Sequence, residues 1–307
     1  MSFRNQKITL SILDFNNQVW RSFHATDKQN MKNDDGINVG CIIALFKIIK
    51  TAIAKAKENS NDFRIVICED RYPTRKKDLY KKYQEAFFEY DKTIIYKDRP
   101  KKDLPYNPVE ICREFIDCLP HIKIFAEGEE ADDVICSFIH KYQKLNTLLF
   151  STDQDLWQMI AKYPNLEIFE NDIDKPNLDK LEKNFMCRDF NKVVLYKVIK
   201  GDSGDTVKSV HRFPFKKNLQ AFLDCDGTVK DYFKFIKERC GENSKEYKKL
   251  MDNKLLIRLN YEVVRLRNDI KFNKQVFTKI DIKKWKRLCA VYQIPSLINY
   301  PLGKLFY

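Results

Sequence analysis

Seven carboxylates fall in three short clusters of this chain: Glu130, Asp132 and Asp133; Asp153 and Asp155; and Asp202 and Asp205 within Gly201-Asp-Ser-Gly-Asp205. Each cluster follows an apolar stretch or closes a helical one. Carboxylates brought together repel one another unless cations or protons intervene. Hard divalent metals with oxygen ligands are the usual remedy. A single acid at a helix start has a plainer explanation, because it caps free N–H groups and meets the helix dipole favourably. Capping suffices for Asp133, or for one of Asp153 and Asp155 after Thr152. It does not require three acids within four residues and a further pair at the next strand end.

The elements that must position these groups alternate. Ile8–Leu13, Phe63–Cys68, His121–Phe125 and Thr147–Phe150 read as short apolar strands, and Leu166–Phe169 as a further one. Helical spacing runs from Val39 to Ala56, from Pro108 to about Leu119 and from Ala131 to Tyr142. Such alternation predicts an α/β fold, a mostly parallel twisted sheet flanked by helices on both faces. Ligands bind such sheets beyond the carboxyl ends of the strands. Asp14, Asp70 and Asp153 each lie at or just past a strand end, and Glu130 opens the helix after the third strand. The fold therefore gathers separated acids into one pocket.

Two regions depart from the alternation. Residues 71–107 carry 11 Lys and Arg, many interleaved with aromatics, in a segment longer than an ordinary connection. Beyond Asp205 no further strand is expected, and Phe235–Tyr247 and Leu255–Arg267 read as helices. Two domains are predicted: an α/β domain over 1–185 that includes the basic segment, and a basic, mainly helical region over 186–307.

The formal net charge is +13. Residues 206–307 carry 23 Lys and Arg against 10 Asp and Glu, while residues 1–205 balance at 33 of each sign. A lysine-rich solvated surface and a phosphate-binding lobe both fit that excess, since neutralising phosphates is the main sequence-independent source of nucleic-acid affinity. No apolar run approaches the ~20 residues that cross a bilayer, so no membrane contact is expected. Nine scattered cysteines without a Cys-x-x-Cys pair read as reduced thiols of a cytoplasmic protein. With four histidines and no paired spacing, zinc is not expected.

Gly128-Glu-Glu-Ala-Asp-Asp133, Ser151-Thr-Asp-Gln-Asp-Leu156 and Lys200-Gly-Asp-Ser-Gly-Asp205 resemble the signature segments of the 5′-nuclease (flap endonuclease) superfamily. They stand in the family's order, with Leu13-Asp14 and Cys68-Glu-Asp70 upstream and Arg21 matching an arginine after the first aspartate. The resemblance covers roughly residues 8–210 and implies a PIN/5′-nuclease-like fold. Within the superfamily the chain is most similar to the T-even type of bacteriophage ribonuclease H, itself a 5′-nuclease.

The resemblance implies a phosphodiester hydrolase with two Mg²⁺ ions, Mn²⁺ being a substitute. Asp14, Asp70, Glu130 and Asp132 would surround the first ion, and Asp153, Asp155, Asp202 and Asp205 the second, with Asp132 or Asp153 near both. It would act as a 5′-3′ exonuclease and flap endonuclease on DNA and RNA–DNA duplexes with 5′ ends or flaps. Its task would be removing RNA primers in phage DNA replication. Residues 71–107 take the place of a basic arch, where Arg75 and Lys76 would meet phosphates and Tyr80 or Tyr83 would stack on a base. The family's Tyr-Lys step reads Tyr83-Gln84 here, which moves the catalytic lysine to Lys81 or Lys82. After Asp205 the family's glycine pair is missing from a modified helix-turn-helix, leaving Lys208, Arg212, Lys216 and Lys217 to hold phosphates. A monomer is expected, with a single-strand-binding protein and a sliding clamp open as recruiting partners. The rival readings are a PIN-type ribonuclease, usually shorter and without a basic lobe, and a non-catalytic structure-specific DNA-binding protein, which gains nothing from clustered acids.

Overall fold

The computed structural model describes residues 8–86, 96–97, 104–170 and 174–306, without the side chains of Tyr83, Gln84 and Ala86. The Tyr83 expectation and most of the arch beyond Ala86 lie outside the described residues.

A six-stranded sheet runs in the order β5-β4-β1-β2-β3-β6. Its strands are β1 (Thr9–Asp14), β2 (Phe63–Cys68), β3 (His121–Phe125), β4 (Asn146–Phe150), β5 (Leu166–Phe169) and β6 (Asn273–Phe277). The first five pair in parallel, with Asp14 opposite Cys68 and Leu13 opposite Phe150. All six residues of β1 are buried, as expected for a central parallel strand covered on both faces.

The period-two alternation of side chains sends Leu10, Ile12, Val66, Cys68 and Leu149 to one face and Leu13, Ile65, Ile67, Leu148 and Phe150 to the other. Helices α1 (Phe15–Asp27), α2 (Gly40–Asn59) and α4 (Pro108–Ile116) cover the second face; α3 (Thr74–Ala86) lies between α2 and α4 in sequence. The first face packs against α5 (Ala131–Lys141), α6 (Leu178–Phe185) and α7 (Val193–Lys200). That same cluster continues into α8 (Leu219–Asp224), α9 (Val229–Cys240), α10 (Lys245–Asp252) and α11 (Lys254–Val264). One apolar core thus crosses the expected boundary at 185.

The C-terminal region also differs from expectation. β6 pairs antiparallel with β3, Ile122 opposite Val276. Its residues are almost all exposed, so it lacks the apolar alternation that marks a strand in sequence. Then α12 (Ile282–Val291), α13 (Pro295–Ile298) and α14 (Leu302–Phe306) return to the second face, where Trp285 packs on Phe46 and Phe115 at ring separations of 5.3 and 5.4 Å. The helix expected over Phe235–Tyr247 is broken by Gly241, whose φ of 88° belongs to glycine's range.

Candidate active site

Strand β1 runs between β2 and β4, and chain order reverses between β1 and β4. The crevice at such a switch point is where an α/β sheet presents its ligand site. Asp14 ends β1, Asp70 follows β2, and Asp153 precedes the 3₁₀ turn Gln154–Met159 after β4. Glu130 stands at the N-cap of α5, which places Asp132 in its first turn. Asp202 and Asp205 enter from the loop after α7, where Gly201 has φ 75° and leaves no room for a Cβ, which would lie 2.5 Å from the Val207 carbonyl. That close approach lets Asp202 and Val207 exchange backbone hydrogen bonds of 2.9 and 2.8 Å.

Two carboxylate triads result, Asp132/Asp153/Asp155 and Asp155/Asp202/Asp205, each with oxygens within 4.8 Å of one another. Asp155 belongs to both. Hydrogen bonds aim the neighbouring acids: Ser151 Oγ donates to Asp14 Oδ2 at 2.7 Å, Ala131 N to Asp70 Oδ1 at 2.7 Å, and Asp155 N to Asp153 Oδ1 at 2.8 Å.

The electrostatics record the crowding. Burial, then the charge of Asp70, pushes Asp14 up to about 8. Burial raises Asp155 to about 6 against the pull of Lys197. Asp70, Asp132 and Asp205 are also raised, in each case first by burial. Glu130 goes the other way: burial opposes ionisation, but Lys76 and Lys97 outweigh it and bring the carboxyl down to about 2. Lys76 Nζ lies 2.5 Å and Lys97 Nζ 2.6 Å from Glu130. Lys197 Nζ bridges Asp155 and Asp202, the latter at 2.7 Å, and lowers the Asp202 pKa despite its burial.

Asp14, Asp70, Glu130, Asp132 and Asp153 line a cleft of about 860 Å³ with Trp20, Arg21, Arg71, Lys77 and Lys97.

Residues 9–187 match the family described as 5′-3′ exonuclease, N-terminal resolvase-like domain. The chain belongs to this family. A 5′-3′ exonuclease of Mycoplasmopsis pulmonis is 28% identical over 282 residues, covering 89% of this chain and 86% of its own. The DNA polymerase I of Borreliella burgdorferi is 28% identical over 269 residues, 85% of this chain. The chain spans only 27% of that polymerase. Among solved structures, a bacteriophage T5 flap endonuclease crystallised as a pseudo-enzyme-product complex with DNA and metal ions aligns at TM-score 0.58 and 14% identity, over 97% of each chain. The T5 protein co-crystallised with metal ions aligns at 0.56 and 16% identity, over 97% of this chain and 98% of that one. The fold is shared with these, and the sheet is the family's.

Asp14, Asp70, Glu130, Asp132, Asp153, Asp155, Asp202 and Asp205 all come to this edge, grouped differently from expectation: Asp155 is the shared acid, and two lysines hold Glu130. Asp133 turns away. It is fully buried against Arg75 at 3.0 Å and Lys76 at 3.4 Å, and its other oxygen accepts from Arg267 N at 2.8 Å. Glu69 also turns away, to Arg71, Arg113 and Lys123.

Several basic-segment expectations change. Lys76 is buried and Arg75 is paired to Glu129 at 2.8 Å, so both serve internal ion pairs. Tyr80 is buried, its hydroxyl donating to Thr206 O at 2.9 Å and its ring against Tyr96, so no face is open to a base. Lys81 is 74% exposed beside Glu85, and Lys82 is exposed too; neither lines the cleft. Among the described residues, the lysines that pair with the site's acids are Lys76, Lys97 and Lys197. Lys97 and Lys197 escaped the sequence reading, although Lys197 stands one helical turn before the Gly201-Asp202 motif. Arg21 lines the cleft, while Arg212, Lys216 and Lys217 are exposed beyond it and Lys208 is half-buried.

Proposed function

We propose that this chain is a Mg²⁺-dependent 5′-to-3′ nuclease that cleaves phosphodiesters at the 5′ ends and flaps of duplexes, RNA primers included, during phage DNA replication. The observation that carries the reading is the pair of carboxylate triads sharing Asp155. Both triads offer only hard oxygen donors, the set that suits Mg²⁺ and Mn²⁺. The raised pKa values of Asp14, Asp132 and Asp155 mark negative charge that a divalent cation would relieve. Asp132, Asp153 and Asp155 would hold one ion and Asp155, Asp202 and Asp205 the other, with Asp14 and Asp70 adjoining the first. Bound there, the ions would supply Lewis-acid stabilisation of phosphoryl oxygens and acidify water.

The chain's own residues do the rest. Ser151 and the Ala131 amide hold Asp14 and Asp70 in fixed orientation, so little reorganisation accompanies the reaction. Lys97, and not Lys81 or Lys82, presents an ammonium to the cleft where charge develops on the scissile phosphate. Arg21, Arg71 and Lys77 are placed to hold flanking phosphates, which position a strand without reading its bases. The polymerase I relatives support a replication setting, and the T5 complex with DNA and metal ions supports the substrate class.

The test incubates the protein with a labelled 5′-flap duplex, a blunt RNA–DNA hybrid and single-stranded RNA, each with Mg²⁺ or chelator. Cleavage of the first two from the 5′ end, only with Mg²⁺, is expected. Asp155→Asn should abolish that cleavage and leave flap-duplex binding largely intact. Full activity in this variant would sink the assignment, and cleavage confined to single-stranded RNA would favour a PIN-type ribonuclease.

A further inference from the structure

Helices α9, α10 and α11 enclose a groove of about 800 Å³ that shares no lining residue with the acidic cleft. Its floor is apolar, formed by Val229, Phe233, Met251 and Ile257. Met251 is 42% exposed, and its flexible, polarizable thioether can adapt to an apolar side chain laid over it. Four exposed cations, Lys162, Lys230, Lys254 and Arg258, stand at its rim. Among the described residues none of the four pairs with a carboxylate. The single acid lining the groove, Asp226, already accepts from Thr228 N at 2.7 Å. The same helix α9 pairs its other cations, Lys234 with Glu238, Lys237 with Glu242 and Arg239 with Asp224. Within α9, the cation left without a carboxylate partner is therefore the one that faces the groove, Lys230.

We propose that this groove docks an acidic peptide segment of a partner protein, one that carries large apolar side chains. An amphipathic segment would lay those side chains on the floor and its carboxylates against the rim. Single-stranded nucleic acid is the other polyanion to weigh. It needs open aromatic faces for stacking, and here those rings are engaged. Arg265 lies over Tyr261 at 5.4 Å, Lys237 over Tyr247 at 5.9 Å, and Phe233 meets Tyr247 edge-on. The remaining floor is aliphatic and thioether, which suits leucine or phenylalanine side chains better than bases.

The test is fluorescence anisotropy on the full chain with three labelled probes. One is a short Asp/Glu-rich peptide with leucine and phenylalanine one helical turn apart; another has both replaced by serine at equal charge; the third is oligothymidylate. The first peptide should bind saturably, and the serine peptide about tenfold or more weaker, a difference of ~1.4 kcal/mol. Lys254→Glu/Arg258→Glu and, separately, Met251→Asp should each weaken the first peptide about tenfold while leaving flap cleavage and melting temperature unchanged. These positions are exposed and outside the cleft, so the variants are expected to fold. Equal binding of the two peptides, no saturable binding of the first, or unchanged affinity in either variant overturns the proposal. Oligothymidylate that binds the groove, displaces the peptide and is lost in both variants reassigns it to single-stranded nucleic acid.

Discussion

At the scale of residues, the site is a store of unfavourable charge with two opposite pH signatures. Asp14 rises from 3.8 to about 8 and Asp155 from 3.8 to about 6 on folding. Between those limits the folded chain binds protons that the unfolded chain does not, so stability falls as pH rises through that window. Glu130 drops from 4.5 to about 2 because Lys76 and Lys97 surround it. Its contribution is fully present above its unfolded pKa and is lost as pH falls through about 2. In chelator, the melting temperature should therefore decline from about pH 5 to about pH 8. Mg²⁺ should raise it more at the upper end, where the carboxylates have lost their protons. Asp14→Asn should flatten the decline. A level profile in the unaltered protein, or an equal Mg²⁺ effect at both ends, would contradict this reading. The acids were legible in sequence because clustering is itself a signal. Lys97 and Lys197 were not, because a lone lysine in a chain so rich in them carries none until the fold brings it to a carboxylate.

At the scale of elements, the five parallel strands were readable from short, largely apolar runs, since parallel strands covered on both faces read as near-continuous hydrophobic stretches. β6 was not readable: it sits at the sheet edge with nearly every side chain in solvent, and only its pairing with β3 makes it a strand. The helices after it were equally opaque, since Trp285 amid Lys283, Lys284, Lys286 and Arg287 fits either a core or a contact. The structure makes it core. Trp285 is 1% exposed, wedged between Phe46 and Phe115, with its indole N–H donating to Leu297 O at 2.8 Å. Trp285→Ala should cost ~3–5 kcal/mol, the usual range for a large buried aromatic. Denaturant unfolding would measure it. Because Trp285 packs on the face made by α2 and α4, Mg²⁺ affinity of the folded fraction should stay unchanged. A loss below about 1 kcal/mol would mean the C-terminal helices are only loosely seated.

At the scale of the whole molecule, a nearly neutral first two-thirds carries the acidic cleft and the last third carries the entire excess of positive charge. On the proposed function the acidic cleft would meet metals and the basic last third phosphates, and the two tasks would separate in their salt dependence. Lys216 and Lys217 are exposed on the 3₁₀ turn Phe215–Asn218, beyond the loop that delivers Asp202 and Asp205. Neither forms an ion pair among the described residues, so both are available to a duplex that enters the cleft. Each phosphate they neutralise releases counterions and adds about 0.9 to the slope of log affinity against log salt. Lys216→Ala/Lys217→Ala should therefore reduce that slope by ~1.8 for a 5′-flap duplex in chelator. Single-turnover cleavage at saturating enzyme should be unchanged, because neither residue lines the cleft. An unaltered slope would leave the charge excess as a solvated surface. A slower saturated rate would place these lysines in the chemistry, and the separation of the two ends would fail.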